Sequence, residues 1–145
     1  MVIIVANESY AAPVPKVEYA LRDAEAMQKA AREVLAVPPE RIIVLRNLTH
    51  AGLAAWFGTA GEGGPELERL KSRLTRTSTI TFFYSGHGMP ARRSQASEAE
   101  AFLLPVDTTP ALAARFGIAV SDIRKALLAA QRARSPEGQV VIYLD

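Results

Sequence analysis

The stretch Ser85-Gly86-His87-Gly88 sets one imidazole between two glycines, directly after the apolar run of residues 79–84 (TITFFY). An imidazole has an ordinary pKa of roughly 6.5, so it can take and return a proton within one reaction cycle. Gly86 and Gly88 would let the backbone turn tightly and expose the ring. The Gly88 N–H could also approach a developing oxyanion. A histidine alone performs no acyl transfer; it needs a nucleophile. Ser85 is a poor one, because it lies two residues away on the same strand end with no GxSxG elbow around it. The residues alone leave two readings open: a general base, and a loop histidine between turn glycines. The other histidine, His50, has no evident partner in the sequence and reads as a surface residue.

The elements that must position these residues alternate in type. Residues 2–6 (VIIVA) and 41–45 (RIIVL) are short continuous apolar runs, the pattern of strands covered on both faces. Residues 7–16 carry Asn, Ser and two prolines and read as a loop. Apolar positions from Val17 to Leu35 recur at helical spacing, and Pro38-Pro39 ends that helix. Thr49 is placed to cap a helix over 51–57, and proline in its first turn opens another over 65–74. The glycines between them, residues 58–64, contain no GxxxxGK[ST] and read as a linker. Residues 79–84 form a third strand, 89–100 a polar irregular stretch, and 102–104 a short apolar piece. Ser121 is expected to cap a helix over 122–131, and residues 139–144 (QVVIYL) form a fourth strand after a turn. Strands alternating with helices imply right-handed crossovers and an α/β fold built on a mainly parallel sheet. In such sheets ligands gather beyond the carboxyl ends of the strands, which singles out Asn7, Asn47, Ser85–Gly88 and Asp145.

Composition narrows the classes. At 145 residues the chain has the length of one domain, and 49% hydrophobic with 22% charged residues is ordinary for a globular protein. The net charge of +2 is slight and the basic residues are dispersed along the sequence, so nucleic acid is not expected as a partner. There is no cysteine, hence no disulfide and no thiolate metal site within these residues. The apolar opening is too short for a signal peptide or a membrane span, so no membrane is expected and the expected location is cytoplasmic.

Four pieces, in order, resemble caspase-like cysteine proteases, especially metacaspases and their prokaryotic relatives. FYSGHG at the end of the third strand resembles their histidine motif. VIIVANESY, followed by a helix containing Asp23-Ala24, resembles their first strand and helix. AFLLPVD (101–107) resembles the segment after the histidine loop, and VVIYLD (140–145) the strand leading to their nucleophile. The resemblance spans essentially the whole chain and implies a three-layer α/β/α, caspase-like fold. On that pattern residues 1–145 are the large-subunit portion of the catalytic domain. The nucleophilic cysteine would stand two positions past Asp145, roughly as far from His87 as caspase spacing asks.

The resemblance also implies a chemistry. His87 would activate the cysteine thiolate, which attacks a peptide carbonyl, and would then protonate the leaving amine. The Gly88 N–H and the cysteine's own N–H would hold the oxyanion. Asp23, Ser85 and Asp145 would line the pocket for the side chain before the cut, so cleavage is expected after Arg or Lys. Without the resemblance, Asp23 reads as a solvated helix charge, Asp145 as a strand-end cap and Ser85 as a turn serine. No cofactor is called for. Many metacaspases need calcium, but Glu98, Glu100 and Asp107 form no DxDG-type run and read as solvated loop acids.

The expected enzyme is a cysteine endopeptidase whose partners are a peptide or protein substrate and its own C-terminal segment or small subunit. The chain alone, lacking the nucleophile, should be inactive, and its fourth strand should present an open edge. The alternative is a pseudoprotease or interaction module that keeps the fold without a nucleophile. A flavodoxin-like ligand-binding domain is disfavoured, since no strand-to-helix turn carries a phosphate-cradling glycine pattern.

Overall fold

The central strand, β1 (Val2–Ala6), is buried along its whole length. The computed structural model describes residues 1–145. After β1 the chain continues through α1 (Ala20–Glu33), β2 (Ile42–Arg46), α2 (His50–Phe57), α3 (Pro65–Lys71) and β3 (Ile80–Ser85). Then come β4 (Gly88–Ala91), β5 (Glu100–Leu103), α4 (Ala113–Phe116), β6 (Ile118–Ala119), α5 (Val120–Arg134) and β7 (Val140–Leu144). The main sheet is entirely parallel in the order β2-β1-β3-β7. The path from β1 to β2 runs one way across the sheet and the later path to β3 and β7 runs the other. Right-handed crossovers therefore demand helices on opposite faces.

The side-chain alternation of β1 shows both layers. Ile3 and Val5 join Ile80, Phe82 and Tyr84 under α2, α3 and α5, where Leu53, Phe57, Ile123 and Leu127 complete the larger core. Phe57 meets Phe82 edge to face at 5.4 Å, a geometry worth about 0.5–1.5 kcal/mol beyond area burial. Val2, Ile4 and Ala6 face the other way, against Ala24 and Ala31 of α1. Small residues on α1 let it lie close to the sheet. The molecule is thus an α/β protein with helices on both faces of a mainly parallel sheet. No helix is long and apolar enough to cross a membrane.

Several elements differ from the sequence reading. The first helix starts at Ala20, three residues later than expected, because Tyr19 takes a left-handed conformation (φ 76°) at its N-cap. Ser121 does not cap α5; that helix begins at Val120, after the extended residue Ala119, and the Ser121 hydroxyl donates to Glu100 Oε2 at 2.5 Å. Thr49 does cap α2, accepting the Gly52 N–H at 3.2 Å. The stretch expected to be irregular contains β4, which opens a second, antiparallel sheet of order β4-β5-β6. Glycine and proline in Gly88-Met89-Pro90 hide this strand from sequence reasoning. The proline is tolerated because β4 is an edge strand.

Two loops are pinned by side chains. The Glu62 carboxylate accepts the N–H groups of Thr59 at 3.0 Å and Ala60 at 2.7 Å. Those backbone donors, Thr59 first, hold its pKa down to about 2 from an ordinary 4.5. A carboxyl depressed on folding stabilises fully above its unfolded pKa and loses that contribution as pH falls. The melting-temperature gap between the wild type and Glu62→Gln should therefore close between pH 4.5 and 2; a constant gap would refute the assignment. At the other end of the sheet, Ser135–Gly138 forms the turn into β7. Ser135 Oγ donates to Ser78 O at 2.6 Å, and Gln131 Nε2 donates to Ser135 O at 2.7 Å and Gly138 O at 3.2 Å. The strand β7 itself ends the sheet, pairing only with β3, and Tyr143 and Leu144 are about half exposed.

Candidate active site

The sheet's direction of travel reverses between β1 and β3, and crevices at such switch points are where doubly wound sheets place ligands. The loops leaving β1 and β3 part there, and His87 bridges the gap. Its Nε2 lies 2.9 Å from the carbonyl oxygen of Pro15, in the loop after β1. A carbonyl only accepts, so Nε2 carries the proton, and in the neutral ring Nδ1 is left with a free lone pair. The Tyr10 ring packs against the imidazole at 4.8 Å and 56°. The ring is thereby fixed with one basic nitrogen uncommitted to Pro15.

The backbone of His87 is held from both sides by hydroxyl groups. Its N–H donates to Tyr10 Oη at 2.8 Å, and its carbonyl accepts from Tyr84 Oη at 2.8 Å. Tyr84 is fully buried, and burial pushes its pKa well above the ordinary value, with Tyr10 nearby adding to the effect. Burial raises Tyr10 as well. Both phenols thus stay protonated and keep their roles. The two hydroxyls can approach only because residue 86 is glycine: a Cβ there would lie 2.7 Å from Tyr84 Oη and 2.8 Å from Tyr10 Oη.

Gly88 differs from the expectation of a second turn glycine. It lies in β4, opposite Leu103, and a Cβ on it would meet nothing closer than Phe102 O at 3.3 Å. Its N–H orientation follows from the ladder. Leu104 N donates to His87 O at 2.9 Å, so 87 and 104 form a hydrogen-bonded position and 88 opposite 103 does not. The Gly88 N–H therefore points away from β5. Pro90, in the same phase, fits the alternation by having no N–H to offer.

The three residues expected to line a pocket meet at one atom. Ser85 Oγ lies 3.2 Å from Asp23 Oδ2 and 3.3 Å from Asp145 Oδ2. Register explains the meeting. Thr81, Phe83 and Ser85 face α1, and their partners across β3–β7 are Val141, Tyr143 and, by one more step, Asp145. Asp145 extends the ladder by donating its N–H to Tyr84 O at 2.9 Å. Asp23 comes from the first turn of α1, where the helix dipole favours an anion. The buried Ser85 hydroxyl has one proton for two carboxylates, and neither Asp23 nor Asp145 forms an ion pair with any Lys or Arg. This corner is anionic and short of donors. On the opposite, α5 side, a pocket of about 380 Å3 lined by Met89, Phe102, Val120 and Leu144 reaches Gly86, Gly88 and Asp145.

Other sequence candidates serve the scaffold. Asn7 is buried, donating to Leu104 O at 3.0 Å and accepting the Leu48 N–H at 2.8 Å. Asn47, with φ 49°, accepts the N–H groups of Glu8 and Ser9 at 2.9 and 3.0 Å. Tyr19, which the family resemblance would place at the border of the cleft, is 57% exposed with the Arg22 guanidinium 5.3 Å from its ring centre. His50 is not the partnerless surface residue expected: Nδ1 meets Phe116 O at 2.8 Å and the ring packs on Phe116. The loop acids do not converge, since Glu100 binds Arg93 at 2.6 Å and Asp107 accepts the His50 N–H at 2.8 Å. No group of three or more acids or histidines could hold a metal ion.

Sequence reasoning missed Tyr84 and Pro15, and placed Tyr10 at the cleft border only through the family resemblance, without its hold on His87. Tyr84 carried a usable signal, since a phenol inside an apolar strand needs a partner for its hydroxyl. Pro15 acts through a backbone carbonyl and carried none. Comparison with known proteins finds no matching family model and no curated relative.

Proposed function

We propose that this chain is the His-bearing portion of a caspase-like cysteine endopeptidase that cleaves after Arg or Lys. In this reading Nδ1 of His87 takes the proton of a cysteine thiol supplied by the residues that follow Asp145. The thiolate attacks the scissile carbonyl, the Gly88 N–H receives the oxyanion, and the imidazolium protonates the leaving amine. Water then releases the acyl group by the reverse proton path. The second reading, a module of the same fold that binds basic peptides without cutting them, is favoured by the anionic corner itself, which needs no nucleophile to hold a cation.

The observation that carries the proposal is the pairing of Asp23 and Asp145 about one hydroxyl with no cation of the protein's own. A guanidinium brings five donors in a planar fork and fills that deficit bidentately. Peptides differing only in Arg against Asp at one position, titrated into the chain, provide the test. Arg should bind and Asp should not. Asp23→Asn and Asp145→Asn should each weaken the Arg peptide about ten- to hundredfold, the range of a lost charge-assisted contact. Preference for Asp, or indifference to both substitutions, overturns the pocket. Hydrolysis by the chain extended through the residues encoded after Asp145 separates the protease from the binding module.

A further inference from the structure

The outer helices distribute charge unequally. The α3 surface pairs Arg69 with Glu66 and Lys71 with Glu68, and α1 interleaves Arg22, Lys29 and Arg32 with Asp23, Glu25 and Glu33. The outward face of α5 carries Arg124, Lys125, Arg132 and Arg134 and no anion. The helix's one acid, Asp122, is buried and bound to Arg93 of the β4–β5 connection. None of the four cations forms an ion pair, although Lys125 Nζ donates to Ala60 O at 3.1 Å. Arg132 and Arg134 lie in the last turn, where the helix dipole favours them. Arg124 and Lys125 have no such local reason.

The same face is grooved. Ser121, Arg124, Lys125, Leu128, Ala129 and Arg132 line a shallow depression of about 270 Å3. Its cations sit at the two ends, eight residues or about 12 Å apart along the helix, with Leu128 and Ala129 between them.

We propose that this face of α5 docks an acidic peptide segment of a partner protein, in which acidic residues flank a small apolar one. Charge complementarity selects an anionic partner. The apolar floor selects a peptide over nucleic acid, because a phosphate backbone has nothing to place on Leu128, and the face has no aromatic ring for base stacking. An extended strand covers about 12 Å in three to four residues, which sets the spacing of the acidic groups. A membrane surface is disfavoured, because the apolar side of α5 is buried against the sheet. The proposal does not depend on the protease reading.

The test is fluorescence anisotropy with labelled Asp-Glu-Leu-Ala-Glu-Asp at low ionic strength. The wild-type chain should bind, and Arg124→Gln/Arg132→Gln should weaken binding about fivefold or more, as loss of two exposed charge contacts implies. The charge-matched control Arg32→Gln/Arg92→Gln should stay within about twofold, those two sites being exposed and unpaired. Replacing Leu by Gly in the probe should also weaken it. Equal loss in both double variants reduces the effect to net charge and overturns the proposal. Tighter binding of oligodeoxythymidylate, or of vesicles rich in phosphatidylserine, overturns it in favour of those partners. Circular dichroism checks that the variants fold.

Discussion

His87→Ala is expected, on the protease reading proposed above and in a form of the protein that carries the nucleophile, to lower turnover of an arginine peptide by about 10²–10⁴-fold, the span of general acid–base catalysis by one side chain. Binding of the same peptide stays within about twofold, because the anionic corner at Ser85 contributes through Asp23 and Asp145 and not through the imidazole. The split between turnover and binding is the informative part. The imidazole reaches Pro15 O with Nε2 at 2.9 Å and leaves Nδ1 open, so on the proposed reading removing the ring deletes the proton carrier and spares the anionic corner. Unchanged turnover would show that His87 is the ordinary loop residue that its sequence context also allows. Equal loss of binding would show that it holds the crevice together.

Gly86→Ala is expected to damage the site more than its single methyl suggests. The new Cβ would come within 2.7 and 2.8 Å of two phenolic oxygens, and one of them belongs to the buried Tyr84. Relief requires the hydroxyls to withdraw from the His87 N–H and carbonyl, which combines overpacking with unpaired buried polar groups. Together these cost about 2–4 kcal/mol, a fall in melting temperature on the order of 5–10 °C for a chain of this size. Gly88→Ala is the matched comparison. Its nearest neighbour stands at 3.3 Å and its backbone is not left-handed, so a shift under about 1 kcal/mol is expected. Thermal denaturation of both variants decides the matter, and equal destabilisation would remove the hydroxyl clamp from the account.

The contrast between the two glycines shows what the sequence could and could not reveal. The continuous apolar runs marked β1, β2, β3 and β7 because a strand covered on both faces leaves a pattern in composition. Of the anionic corner, Ser85 and Asp145 were nameable because they end strands, whereas Asp23 was named only through the resemblance to caspase-like proteases. Their convergence was not legible from spacing alone, because it depends on the register of β7 against β3. The β4 strand escaped because its edge position tolerates a proline that argues against any strand inside a sheet. His50 was misjudged because its partner is a backbone carbonyl 66 positions away, which leaves no local trace.

That register has a remote ruler. Ser135 keys the turn before β7 to the segment entering β3, Gln131 braces that turn from α5, and a Cβ at Gly138 would sit 2.0 Å from Ser78 O. From there the strand runs about 17 Å to the crevice, and side chains alternate at every step. A one-residue slip of β7 against β3 would carry the Asp145 carboxylate to the α5 side and leave Asp23 to face Ser85 alone. The electrostatic character of the crevice is therefore indexed from the opposite end of the sheet, by a turn that touches none of its residues.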